Sequence, residues 1–383
     1  MSEKIKGGRS IKHLGDITKI DWPEVESVDV ITGGSPCQDL SVAGKRAGLA
    51  GERSGLFMEQ IRCVKELREQ DVHRGRTGKS IRPRFMVWEN VPGAFSSGHP
   101  KGSDFAAVIE EIIKVAEPGA LVHIIPPGNG WPKSDCYYDA DGKWSIAWRV
   151  HDAQFWGVPQ RRRRIALVAD FGGLAAPEVL FERKGLSGDF EQGGAQREEA
   201  AGEVGEGAYP TIARTLMGDH QNRITDYSAV CVGNGQLNNM SMGEQANALD
   251  AMHDQQCVMV YGNCAVRRLT PLECERLQGY PDGWTDIGDW TDSKGKKHKA
   301  ADTPRYKALG NSIALPFWLW LLRRISAQYE RPATLGSLFD GIGGFPLCWE
   351  RCNGPKTARW ASEIEEFPMA VTKLRFGEEA PNV

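Results

Sequence analysis

Two stretches of this chain, one at each end, alternate short β-branched or apolar runs with longer segments whose apolar residues recur every three or four positions. Such alternation predicts strands joined by crossover helices, a mostly parallel, doubly wound α/β sheet. In the first stretch, Val28 to Thr32 is a strand run ending at Gly33-Gly34, and Phe57, Ile61, Val64 and Leu67 form the stripe of a following helix. Arg84 to Trp88 is a second strand, stopped by Val91-Pro92-Gly93. Ser103 caps a helix carrying Phe105, Val108, Ile112 and Val115, and Ile165 to Ala169 supplies a further strand. The second stretch lies at the other end of the chain. There a strand from Ala333 to Phe339 enters a glycine turn and a short helix, which Asn353-Gly354-Pro355 stops. A strand from Thr357 to Ser362 and a helix around Phe367 to Phe376 follow.

The middle has a different texture. Residues 188–206 hold six acids against one arginine among many glycines, the composition of a solvated linker, and the rest of 171–262 is polar and weakly periodic. Regular signals resume at Thr270-Pro271-Leu272-Glu273, a capping box with proline at the first helical position, and at a Trp/Leu-rich helix from about Ser312 to Ser326.

Composition narrows the function classes. Lys plus Arg is 47 and Asp plus Glu is 50, a net charge of −3, so a nucleic-acid role has to rest on local charge. The nine cysteines are scattered without a C-x-x-C pair, which argues against a disulfide framework and a zinc ribbon; no metal is expected. The N-terminus lacks the apolar core of a signal peptide, and the longest apolar run, Ile313 to Leu322, is too short for a bilayer and contains Pro316. A cytoplasmic protein without a membrane partner is expected.

Three constellations carry chemistry. Phe339-Asp340-Gly341-Ile342-Gly343-Gly344 lies between a strand and a helix, where glycines let backbone approach a ligand and free helix N–H groups can hold an anion. Glu363, at the tip of the next strand, is suited to ribose hydroxyls. The pair points to a nucleotide-type ligand and leaves nicotinamide and adenosyl cofactors both open. Gly33-Gly34-Ser35-Pro36-Cys37-Gln38 follows a strand's C-terminal end, and a cysteine there is either a thiolate nucleophile or a small buried hydrophobe. Glu89-Asn90-Val91 ends the next strand at the same edge. Gln160 to Arg164 precedes another strand, so Arg162 and Arg164 would share one face; the arginine run also suits a polyanion-binding surface.

Taken together, Pro-Cys-Gln at 36–38, Glu-Asn-Val at 89–91, Gln-x-Arg-x-Arg at 160–164, the Arg-x-Leu-Thr-Pro-x-Glu-x-x-Arg-Leu-Gln-Gly run ending at Gly279, Gly-Asn-Ser at 310–312 and Phe-x-Gly-x-Gly-Gly at 339–344 resemble the motif set of the C5-cytosine DNA methyltransferases. The resemblance covers nearly the whole chain outside 171–262. Its order differs, because the Phe-x-Gly-x-Gly-Gly strand opens the chain in that family and here follows Gly-Asn-Ser. His13-Leu14-Gly15-Asp16-Ile17 resembles the motif that normally comes after the helix beyond Glu363. Joining the C-terminus to the N-terminal segment restores the family order, so the chain resembles a circular permutant whose cut strand should lie at the sheet's edge.

The resemblance implies a catalytic body made of residues 1–170 and 266–383, with a target-recognition region at 171–265. It implies S-adenosylmethionine as cofactor and double-stranded DNA as partner, in restriction–modification or phage DNA protection. Cys37 would add to C6 of a flipped-out cytosine, with Glu89 at the ring N3, Asn90 bracing the turn, and Arg162 and Arg164 stabilising charge on the base. Phe339, Gly341, Ile342, Gly343 and Gly344 would wrap the cofactor's methionine portion, and Glu363 would take the ribose. Asp16 would accept from the adenine amine, Ile17 and Ile364 would pack on its faces, and Asn311 and Ser312 would complete the pocket. Residues 41–55 resemble the loop that closes over the base. Arg214, Gln221, Asn222 and Arg223 are candidate base readers. A monomer on DNA is expected, with exchange of C-terminal segments between two chains as the alternative.

Three rival readings stand beside this one: a tRNA cytosine-5 methyltransferase, a non-catalytic DNA-binding relic of the fold, and a nicotinamide-dependent dehydrogenase suggested by the glycine turn alone. Five basic stretches, 41–53, 74–84, 160–164, 267–268 and 293–299, are candidates to face DNA phosphates.

Overall fold

The computed structural model describes residues 11–35, 55–181 and 268–377, together with the backbone of short strands between 229 and 267. Cys37, the 41–55 loop up to Ser54, the acidic stretch 188–206 and Arg214, Gln221, Asn222 and Arg223 lie outside the described residues.

One eight-stranded mixed sheet forms the body. Its strands in chain order are β1 (Lys12–His13), β2 (Val30–Gly33), β3 (Phe85–Asn90), β4 (Ser134–Tyr138), β5 (Ser145–Asp152), β6 (Arg163–Asp170), then β13 (Leu335–Leu338) and β14 (Ala358–Ser362). The spatial order is β1-β14-β13-β2-β3-β6-β5-β4. Neighbours from β1 to β3 are parallel and those from β3 to β4 antiparallel. Strands from the two ends of the chain therefore interleave, and β1 lies at the sheet's edge. A separate four-stranded sheet joins β7 (Ala229–Val232), β8 (Met242–Gly243), β9 (Cys257–Val260) and β10 (Ala265–Arg268), and a two-stranded hairpin pairs β11 (Trp290–Thr291) with β12 (Lys297–His298).

Two apolar layers cover the large sheet. One is built on α1 (Gly55–His73) and α2 (Ser103–Ala116), whose Phe57, Ile61, Val64 and Leu67 and Phe105, Val108, Ile112 and Val115 are buried. The opposite layer holds α3 (Ala175–Leu180), α4 (Pro271–Gln278), α5 (Asp302–Asn311), α6 (Leu315–Ser326), α7 (Gly344–Asn353) and α8 (Glu366–Phe376). The Thr270–Glu273 capping box is present, and left-handed Gly279 ends α4. Ser103 is not the cap of α2. It is the first helical residue, and left-handed Gly102 precedes it, where a Cβ would stand 2.8 Å from Trp131 Nε1.

The two chain ends are joined by side chains as well as by the ladder. Leu14 N donates to Ala361 O at 2.8 Å, Ser362 Oγ to Gly15 O at 2.7 Å, and Trp360 Nε1 to Glu26 O at 2.9 Å. Among the described residues no helix is long and apolar enough to cross a membrane, and no group of His, Cys, Asp or Glu could hold a metal.

One expectation from charge is corrected. In 74–84, Arg82 makes a paired contact with buried Asp71, which Arg74 and Arg76 also approach at 3.5 and 3.4 Å, and Arg84 pairs with buried Asp170 at 2.8 Å. This stretch leads into the start of β3, at the sheet edge opposite Glu89 and Asn90. Its arginines neutralise buried carboxylates that would otherwise be costly.

Candidate active site

The C-terminal ends of the parallel strands, where open α/β sheets bind ligands, collect most of the residues singled out above. β2 delivers Gly33, Gly34 and Ser35. β3 delivers Glu89 and Asn90, β13 the Phe339–Gly344 turn, and β14 Glu363. Antiparallel β6 begins at this same edge and brings Arg164.

On the β2–β3 side, Arg164 Nε meets Glu89 Oε1 at 2.8 Å, both groups being largely buried. A Cβ on Gly34 would stand 2.9 Å from Glu89 Oε2, so the β2 backbone passes close beside this held carboxylate. Trp88 Nε1 donates to Ser35 Oγ at 3.1 Å and fixes the chain where Pro36-Cys37-Gln38 departs. Asn90 is buried, and its Oδ1 accepts from Val91 N at 2.8 Å, holding the turn after β3.

Arg162 and Arg164 do different things. Arg162, 2% exposed, donates through Nη2 to Gly310 O at 3.1 Å and to Ser312 O, while its amide donates to Asp152 Oδ1 at 2.9 Å. It ties the start of β6 to the Gly-Asn-Ser segment. Beside it Ser312 Oγ bonds the hydroxyl of Tyr280, whose pKa burial raises, and Asn311 is exposed.

The glycine turn is held in an unusual backbone. Phe339, Gly341 and Gly343 have φ of 52, 56 and 79°, the left-handed region that a bulky residue such as Phe339 rarely enters. Gly343 must be glycine on two counts, because a Cβ there would also stand 2.7 Å from Phe376. At Gly341 a Cβ would meet nothing within 4 Å among the described residues, which leave this side of the turn open. Buried Ile342 accepts from Trp284 Nε1 at 2.8 Å, and Gly344 starts α7 against the Tyr280 hydroxyl.

Glu363 accepts from the amides of Gly341, Ile364 and Glu365 at 2.7, 2.7 and 2.8 Å. Burial pushes its pKa upward against those bonds. Ile364 is 66% exposed beside it. Asp16 accepts from Thr18 N and Oγ1 and pairs with Lys19 at 3.2 Å; the Thr18 hydroxyl is the main cause of its lowered pKa. Ile17 is buried in the core beneath. An open glycine turn, a strand-tip carboxylate and an exposed isoleucine fit an adenosyl cofactor in residue type and in access.

Sequence reasoning missed three contributors. Gln60, fully buried on α1, donates to Val87 O at 3.1 Å and packs against Gly33. Tyr280 and Trp284 buttress the glycine turn from the segment after α4. Their only signal was position shortly after the Arg-Leu-Gln-Gly run.

The family described as C-5 cytosine-specific DNA methylase matches residues 3–116. The chain is 29% identical to a DNA N-6-adenine-methyltransferase of Escherichia phage P1, covering 82% of this chain and 55% of that one. It is 27% identical to Type II methyltransferase M1.ScrFI of Lactococcus lactis subsp. cremoris, covering 79% and 63%. It is 26% identical to Type II methyltransferase M.NlaX of Neisseria lactamica, covering 87% and 85%. The chain thus spans little more than half of the phage relative and under two thirds of the Lactococcus one.

Proposed function

We propose that the chain is a C5-cytosine methyltransferase, which methylates carbon 5 of a flipped-out cytosine in double-stranded DNA through a covalent adduct with Cys37; its similarity to the C-5 cytosine-specific DNA methylase family over residues 3–116 and to Type II methyltransferases supports this reading. The observation that carries the reading is the Glu89–Arg164 pair, set against Gly34 at the mouth of the segment that leads to Cys37. A restriction–modification or phage DNA-protection role follows from the same reading.

Carbon 5 of cytosine is a weak nucleophile, so the ring has to be activated. The Cys37 sulfur adds to C6 while Glu89, oriented by Arg164, delivers a proton at N3, which leaves electron density on C5. S-adenosylmethionine, the cofactor this family implies, supplies the electrophilic methyl group. Loss of the C5 proton to a base, with the N3 proton returning to Glu89, then lets Cys37 leave and restores the aromatic ring. Asn90 keeps the turn after β3 rigid during these steps. Arg162 acts through the Gly310–Ser312 carbonyls on the cofactor side. Phe339, Gly341, Ile342, Gly343, Gly344, Glu363, Ile364, Asp16, Ile17, Asn311 and Ser312 are the proposed cofactor contacts. Of the expected 171–265, the part up to Phe181 packs on the large sheet through α3, and the residues beyond it, to 265, are the proposed target-recognition region. The motif order is read as a circular permutation; the parallel pairing of β1 with β14 supports it, since β14, α8 and β1 would form one strand–helix–strand unit if the chain's present ends were joined.

The phage relative's name raises adenine N6 as an alternative acceptor. An exocyclic amine needs no covalent activation by a thiol, and Pro-Cys-Gln with Glu-Asn-Val favours the cytosine reading. Incubating the protein with labelled S-adenosylmethionine and either duplex DNA or tRNA, then analysing the nucleosides, tests the proposal. Label in 5-methyl-2′-deoxycytidine supports it. Label in N6-methyladenine, or in tRNA alone, overturns it.

A further inference from the structure

Asp340 sits inside the glycine turn and has no assigned part in the mechanism above. It is 5% exposed, and the turn holds it from both sides: its amide donates to Ser362 O, and its carbonyl accepts from Gly343 N, each at 3.1 Å. Its Oδ1 accepts from Ser337 Oγ at 2.6 Å. Its Oδ2 is enclosed and has no hydrogen-bond partner among the described residues. A buried carboxylate oxygen without a donor is costly when ionised, so the group needs either a proton or a nearby positive charge.

The groups facing Asp340 do not supply that charge. Glu363, from the end of β14, is a second carboxylate, held 2.7 Å from the amide of Gly341, the residue after Asp340. Tyr280, from the segment after α4, is a buried neutral phenol; Arg162 bears on Tyr280. Beyond Tyr280, Cys348 of α7 is a buried neutral thiol. Burial pushes the Asp340 carboxyl up to about 7, opposed by the Ser337 hydroxyl and assisted by the charge of Glu363.

We propose that Asp340 is a specificity-determining carboxyl of the cofactor site, which favours a positively charged cofactor over its neutral product by giving up its proton when the charged ligand binds. The inference rests on the S-adenosylmethionine reading of the turn. S-adenosylmethionine carries a sulfonium centre that the product, S-adenosylhomocysteine, lacks; the two share every other charge. A cation on the open side of Gly341 stabilises the ionised form of Asp340, and the proton passes to bulk buffer. The sulfonium ligand therefore binds more tightly as pH rises through 7, whereas the thioether does not. Each unit by which the bound cation lowers the Asp340 pKa is worth up to a tenfold gain in preference across that range.

Calorimetric titration of the full chain with each ligand, in buffers of different ionisation enthalpy, reads the released proton directly. The expected result at pH 7 is release of about 0.4 of a proton with S-adenosylmethionine, for a one-unit shift, and almost none with S-adenosylhomocysteine. Asp340→Asn should abolish both the release and the pH dependence of the preference. Ser337→Ala, which removes the hydroxyl donor, should move the pH profile upward and serves if Asp340→Asn does not fold. Binding of both ligands with equal or no proton release overturns the proposal and leaves the cofactor reading standing, as does release that persists in Asp340→Asn. Failure of both ligands to bind overturns the cofactor reading and the proposal with it.

Discussion

Asp29 and Arg331, separated by 302 positions in the chain, meet in a two-point contact of 2.7 and 2.8 Å. Asp29 precedes β2 and Arg331 precedes β13, so the pair fastens neighbouring strands drawn from opposite ends of the sequence. Thr334 N and Oγ1 also donate to Asp29 Oδ2, at 2.8 and 3.0 Å.

Arg331→Ala should therefore lower stability by about 1–3 kcal/mol, because Asp29 stays buried and loses its cation. Burial alone would raise the Asp29 pKa, but Arg331 and Thr334 outweigh it and hold the carboxyl below its ordinary 3.8. A carboxyl with a depressed folded-state pKa stabilises the protein above its unfolded pKa and loses that contribution as pH falls through the folded one. Denaturant melts of the wild type should thus weaken as pH drops below about 4. Asp29→Asn should be less stable at pH 7 and should show less of that acid dependence.

The two arginines of Gln-x-Arg-x-Arg should separate in assays. Arg164→Ala frees Glu89 and should lower kcat by on the order of 10²–10³ while leaving cofactor affinity nearly unchanged. Arg162→Ala leaves the buried carbonyls of Gly310 and Ser312 without their donor, a cost of about 1–3 kcal/mol, and should weaken cofactor binding first. Calorimetry with S-adenosylmethionine beside steady-state kinetics distinguishes the two; identical profiles for both variants would contradict the assignment.

Much of this was legible in the residues. The stripes of α1 and α2 and the strand runs of β2, β3 and β6 follow from periodicity, because each element buries one face against the sheet. The site edge was legible too, since strand ends coincide with the Gly-, Glu- and Arg-bearing motifs. β4 and β5 were not, because Arg149 and His151 interrupt the apolar pattern of β5 and β4 is an exposed edge strand. Nor could spacing show that Arg162 turns to backbone carbonyls and Arg164 to Glu89. The 74–84 stretch was misread for a related reason: a run of charge does not reveal that Asp71 and Asp170 wait behind it.

That correction is testable. Lys79→Ala and Arg76→Ala should leave the salt dependence of DNA binding unchanged, while Arg82→Ala should lower Tm by exposing the need of buried Asp71 for its partner. Arg163, 74% exposed at the site edge, should behave in the opposite way. Its replacement by Ala should reduce the slope of log K against log salt by about 0.9 if it neutralises one phosphate.

The glycine turn offers a graded pair. Gly341→Ala meets no atom but needs a left-handed backbone, costing about 1–2 kcal/mol. Gly343→Ala adds a contact of 2.7 Å with Phe376 to the same strain and should be the more damaging to Tm. Equal melting temperatures for the two would count against the turn as described.

The central claim, covalent activation of cytosine by Cys37, is tested most directly with duplex DNA carrying 5-fluorocytosine at the recognised site. Fluorine cannot leave as the C5 proton does, so in the presence of S-adenosylmethionine the wild-type chain should remain covalently attached to the DNA under denaturing electrophoresis. Cys37→Ala should not. An adduct that still forms with Cys37→Ala would contradict the account, as would a wild-type chain that methylates ordinary cytosine yet leaves the fluorinated duplex free.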